Sequence, residues 1–364
     1  MPILGTHKAH RLIAGSSSQR SKTNAPPATA GSPTLATSKK MKRNIYQESN
    51  SIIIDLTYRC NAKCKYCQWG DNATPGRTDL PDDYIYLPEA TMKSLETNRI
   101  VFSGGEPLLH KNLFEIIDYY KKKMKIKEII LISNGLLLNE RKLDKLINHG
   151  LTGITFSIDS VNFNTLSFLR GYTFEQIEKI LANFNNAVKR NLEIGINCVL
   201  SRGNIYGDNI AGLIELANSS KIDFLKFNPI FNDGYVGKNA PDLILTKEDA
   251  NQISVLKKVV KNAIKVRTNN FSLWDVLSKQ LDGHSLDGQS CGLTFSQQIA
   301  IRDKLKFCFW IDEPNYGNIK STLSPAKKLE IQNQFKEKKA NCKTGMYCHC
   351  LQKMSHKWKV KSLN

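Results

Sequence analysis

No uninterrupted apolar run in these 364 residues reaches the roughly 18 that cross a bilayer, so no membrane span is expected. Acidic residues are missing from positions 1–43, a stretch that still carries Lys8, Arg11, Arg20, Lys22, Lys39, Lys40, Lys42 and Arg43. Eight units of the formal net charge of +19 therefore sit there, which weakens the case for a nucleic-acid surface elsewhere. The lysines beyond it, Lys121-Lys122-Lys123 among them, lack interleaved aromatics. A solvated basic surface is the better reading, with weak attraction to polyanionic substrates at most. Cysteine is absent from long stretches: the nine fall at 60–67 and 291–350, with Cys198 alone between them. Such clustering argues against a disulfide framework and for metal ligation in a reducing, cytoplasmic compartment. Cys198, isolated in a strand-like run, reads as a small buried hydrophobe.

Residues 1–47 are expected to be a disordered basic extension, rich in Ser, Thr, Ala and Pro and without a hydrophobic period. The acid-free composition also resembles an organelle transit peptide, and a start at Met41 is a third reading. A disordered extension or a misassigned start ranks above the transit peptide.

From Ser51 the chain alternates short apolar runs with helical stretches. The runs 51–57, 99–103, 129–133, 153–158, 193–200 and 223–228 are near-continuous in Ile, Leu, Val and Phe, as strands covered on both faces require. Helical stretches are expected near 88–98, 111–125, 137–149, 173–190 and 207–219. Right-handed crossovers would wind this βα repeat into a parallel sheet curved like part of a barrel, over residues 48–235. Residues 236–284 read as a helical linker, with an amphipathic helix over Thr246 to Val266. Residues 285–364 carry five cysteines and few long apolar runs, which suggests a small domain organised by metal.

The segment Cys60-Asn-Ala-Lys-Cys64-Lys-Tyr-Cys67 places three thiolates on one short loop, enough to hold three irons of a four-iron cluster. The fourth iron would lack a protein ligand and be open to a small molecule, a catalytic arrangement more than a structural one. A zinc knot is the alternative, but it needs a fourth ligand, and the nearest His after Cys67 is His110. At these residues the chain resembles the radical S-adenosylmethionine (SAM) enzymes, with Tyr66 in the place of that family's aromatic residue before the third cysteine. The resemblance implies an α/β fold, an open (β/α)6 partial barrel, with SAM bound on the open iron of a 4Fe-4S cluster. It also implies a flavodoxin-type or ferredoxin-type electron donor.

Ser103-Gly104-Gly105-Glu106-Pro107-Leu108 follows the second strand and resembles the family's GGEP motif. The glycines would let backbone approach a ligand, and Glu106 is implied as an acceptor for the methionyl ammonium of SAM. Ser133 and Asn134 end the third strand, and Ser157 and Asp159 the fourth, at the rim where the family binds the ribose and carboxylate of SAM. A plain turn at Asn134-Gly135 and a helix cap at Asp159 are the alternatives. Arg170-Gly171 resembles a segment of auxiliary-cluster members; Arg170 is either a partner of the SAM carboxylate or a surface arginine. Asn197 is a weaker candidate, and the family's glycine-bearing adenine motif on the fifth strand is not evident.

Cys291 and Cys308 flank a stretch whose middle reads as a hairpin, and Cys342, Cys348 and Cys350 follow a Lys-rich helix. The layout resembles the Twitch domain, a relative of the SPASM domain, and implies one auxiliary iron-sulfur cluster. Asp303-Lys304 stands where the family has a turn glycine, and the last three cysteines are not the full SPASM string. Structural zinc held by these cysteines and His349 is the alternative. Enzymes of this layout oxidise or cross-link a peptide, or oxidise or epimerise a sugar or aminocyclitol. A peptide substrate is the first expectation, ahead of the small-molecule one. A non-catalytic metal-binding or RNA-binding protein is the competing class.

Overall fold

The computed structural model describes residues 50–67, 79–220, 222–230, 235–269, 271–283, 297–301, 304–307, 314–318 and 323–340. The expected extension over residues 1–47 lies outside them.

In chain order the elements are β1 (Ser51–Thr57), α1 (Asp82–Ile85), α2 (Glu89–Ser94), β2 (Arg99–Gly104), α3 (Leu113–Asp118), β3 (Glu128–Ser133) and α4 (Glu140–His149). They continue with β4 (Gly153–Ser157), α5 (Phe163–Arg170), α6 (Phe174–Val188), β5 (Glu193–Leu200), α7 (Asn209–Ser220) and β6 (Phe224–Pro229). The last are α8 (Tyr235–Asn239), α9 (Ala250–Ala263), α10 (Ser272–Leu281), β7 (Gln297–Ile301), β8 (Lys304–Lys306) and α11 (Pro325–Ala340). The six strands expected from the apolar runs lie where the runs do, to within a residue at either end.

These six strands pair in parallel in the order β6-β5-β4-β3-β2-β1, the fold of an open β/α barrel. β7 adds to the outer side of β1, also parallel, and β8 runs antiparallel beside it. The segment expected as a separate domain thus contributes two strands to the same sheet. Among the described residues β6 and β8 are the two outermost strands, so the sheet does not close.

Each strand sends alternate side chains to opposite faces. Ile52, Ile54, Phe102, Leu131, Ile154, Phe156, Ile196 and Phe227 are wholly buried on one face. The helices pack there, with ring contacts Phe102–Tyr120, Phe156–Phe184 and Phe227–Trp274 at 5.7, 5.2 and 5.3 Å. The opposite face carries Asp55 beside Ser103, and Ser157 beside Asn197 beside Lys226, in register across the sheet. Several of these are only partly buried, so this face is the concave interior that a ligand can reach.

Two helices lie between β4 and β5, where only the second was expected. The side chain of Asn162 accepts the Thr165 N–H to begin α5, and Gly171, at φ +68°, ends it. Thr173 and Gln176 then form a reciprocal capping box that begins α6.

Candidate functional site

The loop that carries Cys60, Cys64 and Cys67 leaves the C-terminal end of β1 and is fixed from two sides. Arg59 grips Asp79 through Nε at 3.0 Å and Nη2 at 2.7 Å, and Nη2 also donates to the Leu109 carbonyl at 2.6 Å. On the other side the Lys63 and Lys65 N–H groups donate to the carbonyls of Arg170 and Leu169, at 3.1 and 3.0 Å, so the end of α5 is stitched along the loop. The three thiols are partly buried and make no disulfide. Burial pushes the Cys60 thiol up to about 11 and raises that of Cys64, so both hold their protons near neutral pH and must release them to ligate a metal. Among the described residues no three His, Cys, Asp or Glu side chains converge as a single metal ion requires. A cluster makes no such demand, because each thiolate meets a different iron.

Arg170 is not at the surface. It is 6% exposed, and it pairs with the fully buried Asp159 through Nε at 2.8 Å and Nη2 at 3.0 Å. Its Nη1 reaches the Cys64 sulfur at 3.8 Å, and its guanidinium lies 5.8 Å from the centre of the Tyr66 ring. Asp159 caps no helix, since Asn162 begins α5. Its carboxylate instead accepts from Arg170, from the Tyr66 hydroxyl and from the Val199 N–H, the last at 2.8 Å. One buried carboxylate thereby joins the cysteine loop, the end of α5 and the end of β5. A guanidinium held beside Cys64 favours its thiolate form.

The Gly104-Gly105-Glu106 turn braces the same loop from beneath. Gly105 N–H donates to the Thr57 carbonyl at 2.7 Å and Glu106 N–H to that of Arg59 at 2.8 Å. A Cβ at Gly105 would sit 2.2 Å from the Arg59 carbonyl oxygen, and one at Gly104, whose φ is +115°, 2.5 Å from that of Thr57. The close approach these glycines permit is to the backbone of the cysteine loop. The Glu106 side chain is 1% exposed and accepts from Leu108 N–H at 3.1 Å, Ser133 Oγ at 2.8 Å and Asn134 N–H at 2.8 Å. Its carboxylate thus fixes the end of β3, and burial raises it above the usual range against those hydrogen bonds. Asn134 donates through Nδ2 to Asn61 Oδ1 at 2.7 Å, which ties β3 back to the cysteine loop. Ser157 and Asn197 are neighbours on the concave face, and Asn197 Oδ1 is buried without a hydrogen-bond partner among the described residues.

Residues 54–217 match the family model of the Radical SAM superfamily. These residues are a radical SAM domain. The chain is 30% identical over 184 residues to the GTP 3′,8-cyclase of Chlorobaculum tepidum, covering 50% of this chain and 54% of that one. It is 29% identical over 184 residues to molybdenum cofactor biosynthesis protein 1 of Dictyostelium discoideum, covering 48% of this chain and 28% of that one. The chain thus spans less than two thirds of these relatives' length. Among solved structures it resembles Streptococcus suis SuiB bound to S-adenosylmethionine, with a TM-score of 0.59 and 13% identity over 84% of this chain and 72% of that one. It also resembles anSMEcpe with bound AdoMet, with a TM-score of 0.55 and 21% identity over 82% of this chain and 87% of that one. At these identities the structures show the shared fold.

A radical SAM domain takes a 4Fe-4S cluster and SAM, and the residues present fit them: three thiols on a braced loop with a buried guanidinium against one sulfur. Cys60, Cys64 and Cys67 would hold the cluster. The other expected ligands, Cys291, Cys308, Cys342, Cys348 and Cys350, lie outside the described residues, as does His349. No motif marks Tyr172, whose buried hydroxyl has no hydrogen-bond partner among the described residues, or the roles of Asn61 and Asn204. Asn204 donates to the carbonyls of Asp159 and Val199, at 2.9 and 2.8 Å.

Proposed function

We propose that the chain is a radical SAM enzyme that takes a hydrogen atom from a peptide substrate and so oxidises or cross-links it. The observation that carries this reading is the braced three-cysteine loop at the C-terminal end of a parallel sheet whose interior face carries the partly buried Ser103, Ser157 and Asn197. When bound and reduced, the cluster supplies the electron that cleaves SAM to methionine and a 5′-deoxyadenosyl radical, which takes hydrogen from an unactivated C–H bond. The protein's part is to hold the thiolates, orient SAM at the rim and present the substrate against Asp55, Ser103, Ser157 and Asn197. An acidic low-potential carrier of the flavodoxin or ferredoxin type is the natural donor for a chain this basic. A second cluster held by the C-terminal cysteines completes the proposal, as electron acceptor or substrate holder.

The peptide reading is supported by the likeness of fold to SuiB bound to precursor peptide SuiA. A second reading is a purine nucleotide substrate, favoured by the sequence similarity to GTP 3′,8-cyclases. The test is anaerobic reconstitution with iron, sulfide, SAM and a reductant. Release of 5′-deoxyadenosine is expected, and replacing Cys60, Cys64 and Cys67 together with Ala should abolish it while the chain remains folded. Wild-type release from the triple variant would sink the assignment. GTP serves as the probe for the second reading: its consumption, coupled to SAM cleavage, would displace the peptide.

A further inference from the structure

Tyr172 is 2% exposed, yet among the described residues its hydroxyl has no hydrogen-bond partner. A buried hydroxyl left unpaired destabilises the fold, and phenylalanine would fill the same volume without that cost. The residue occupies the short connection between α5 and α6, immediately beyond the elements that brace the cysteine loop. The carbonyl of Arg170 accepts from Lys63 N–H at 3.1 Å. A Cβ at Gly171 would lie 2.7 Å from the Lys63 Cβ, so the chain before Tyr172 is pressed against the loop between Cys60 and Cys64. On the other side Thr173 is fixed as the cap of α6. The backbone on both flanks is therefore held, and the phenol has little freedom to turn away and find a partner elsewhere.

The charged and ionisable groups around the phenol are Arg170, Cys64, Cys60 and Glu106, all within electrostatic reach of it. Two of these are expected cluster ligands, and the other two belong to the structures that hold the loop. Burial keeps the phenol protonated, so at any working pH it is a hydrogen-bond donor. The commitments of its neighbours are already known: Glu106 accepts from β3 and its own turn, and Arg170 donates to Asp159 and Cys64. Among the described residues no side chain or carbonyl is left to accept from the phenol.

We propose that the Tyr172 hydroxyl donates a hydrogen bond to an anionic acceptor of the cofactor assembly held by Cys60, Cys64 and Cys67, either a sulfur of the cluster or the carboxylate of SAM. The proposal rests on the radical SAM reading of this site. It gives the phenol a positioning role, with no bond made or broken at the side chain.

The experiment compares full-length wild type and Tyr172→Phe, each reconstituted anaerobically. Iron content and melting of the metal-free chain are measured first; the variant is expected to load iron fully and to melt no lower than wild type. The cluster's reduction potential is then titrated without SAM, and SAM affinity is measured by its perturbation of the reduced cluster's EPR spectrum. A sulfur acceptor predicts a lower potential in the variant with SAM affinity unchanged, because hydrogen bonds to cluster sulfurs stabilise the reduced state. A carboxylate acceptor predicts an unchanged potential and SAM affinity weaker by about tenfold. Unchanged potential and unchanged affinity overturn the proposal. So does a variant that fails to fold or to load iron, which would place Tyr172 in packing alone. Failure of wild type itself to load iron or bind SAM would instead remove the radical SAM reading beneath it.

Discussion

Asp55 stands on the concave face of β1, five residues before Cys60, and is 6% exposed. Burial pushes its carboxyl from 3.8 to about 6. Between those values the unfolded chain has lost a proton that the folded chain keeps, so folding stability falls as pH rises through that window. Above it the folded protein carries a carboxylate it would be more stable without. Asp55→Asn is therefore expected to stabilise the metal-free chain at pH 7.5 by on the order of 2 kcal/mol, with the gain vanishing near pH 3.5. Denaturant melts of both chains across that range check it, and a difference that does not vary with pH would refute the assignment. Neither Asp55 nor the work of Asp159 could be read from sequence. A carboxylate's environment depends on which residues the fold brings to it, and Asp159 draws its partners from positions 66, 170 and 199. The cysteine spacing and the Gly-Gly-Glu turn were legible because their chemistry is local.

At the level of elements, the end of β2 makes a tight junction with the cysteine loop. The Arg59 carbonyl oxygen occupies the place a side chain at position 105 would need, only 2.2 Å from an ideal Cβ, and that atom belongs to backbone that cannot swing aside. Gly105→Ala must therefore displace the start of the loop, break the hydrogen bond from Glu106 N–H to Arg59, or both. A loss of about 2 to 4 kcal/mol is expected, with iron loading reduced more than the melting temperature. Full iron content in this variant would show the loop to be free of the turn beneath it. The six strands could be placed from sequence because each is a continuous apolar run covered by helices on one face and partly enclosed on the other. α5 escaped because only Leu166, Leu169 and Arg170 of its eight residues are buried, while Phe168 is left 49% exposed. No clear apolar stripe marks it, and its signals are the cap at Asn162 and the stop at Gly171.

At the scale of the whole molecule, β7 and β8 of the C-terminal segment belong to the sheet. β7 lies along the outer side of β1, with Ile52, Ile53 and Ile54 opposite Gln298, Ile299 and Ala300. Beneath it Phe307 stacks on Phe335 at 4.6 Å and packs against Tyr316 at 4.4 Å, while Lys328 of α11 donates to the Ser94 carbonyl at 2.6 Å. The hairpin expected between Cys291 and Cys308 is the β7–β8 pair; nothing local in it signals that β7 also extends the ladder of β1, so cysteine content sets the region apart at residue 285. A chain ending at residue 284 would lose β7 and leave β1, the strand that launches the cysteine loop, as an open edge of unpaired N–H and C=O groups. Such an edge both loosens the loop and templates pairing between molecules. The shortened chain is expected to aggregate, or to melt well below full length and load less than one cluster per molecule even though Cys60, Cys64 and Cys67 are retained. Size-exclusion chromatography, thermal melting and iron analysis of the two chains decide the matter. A monomer of residues 1–284 that melts with the full-length protein and loads one complete cluster would show that the barrel is self-sufficient and that β7 is an accessory to it.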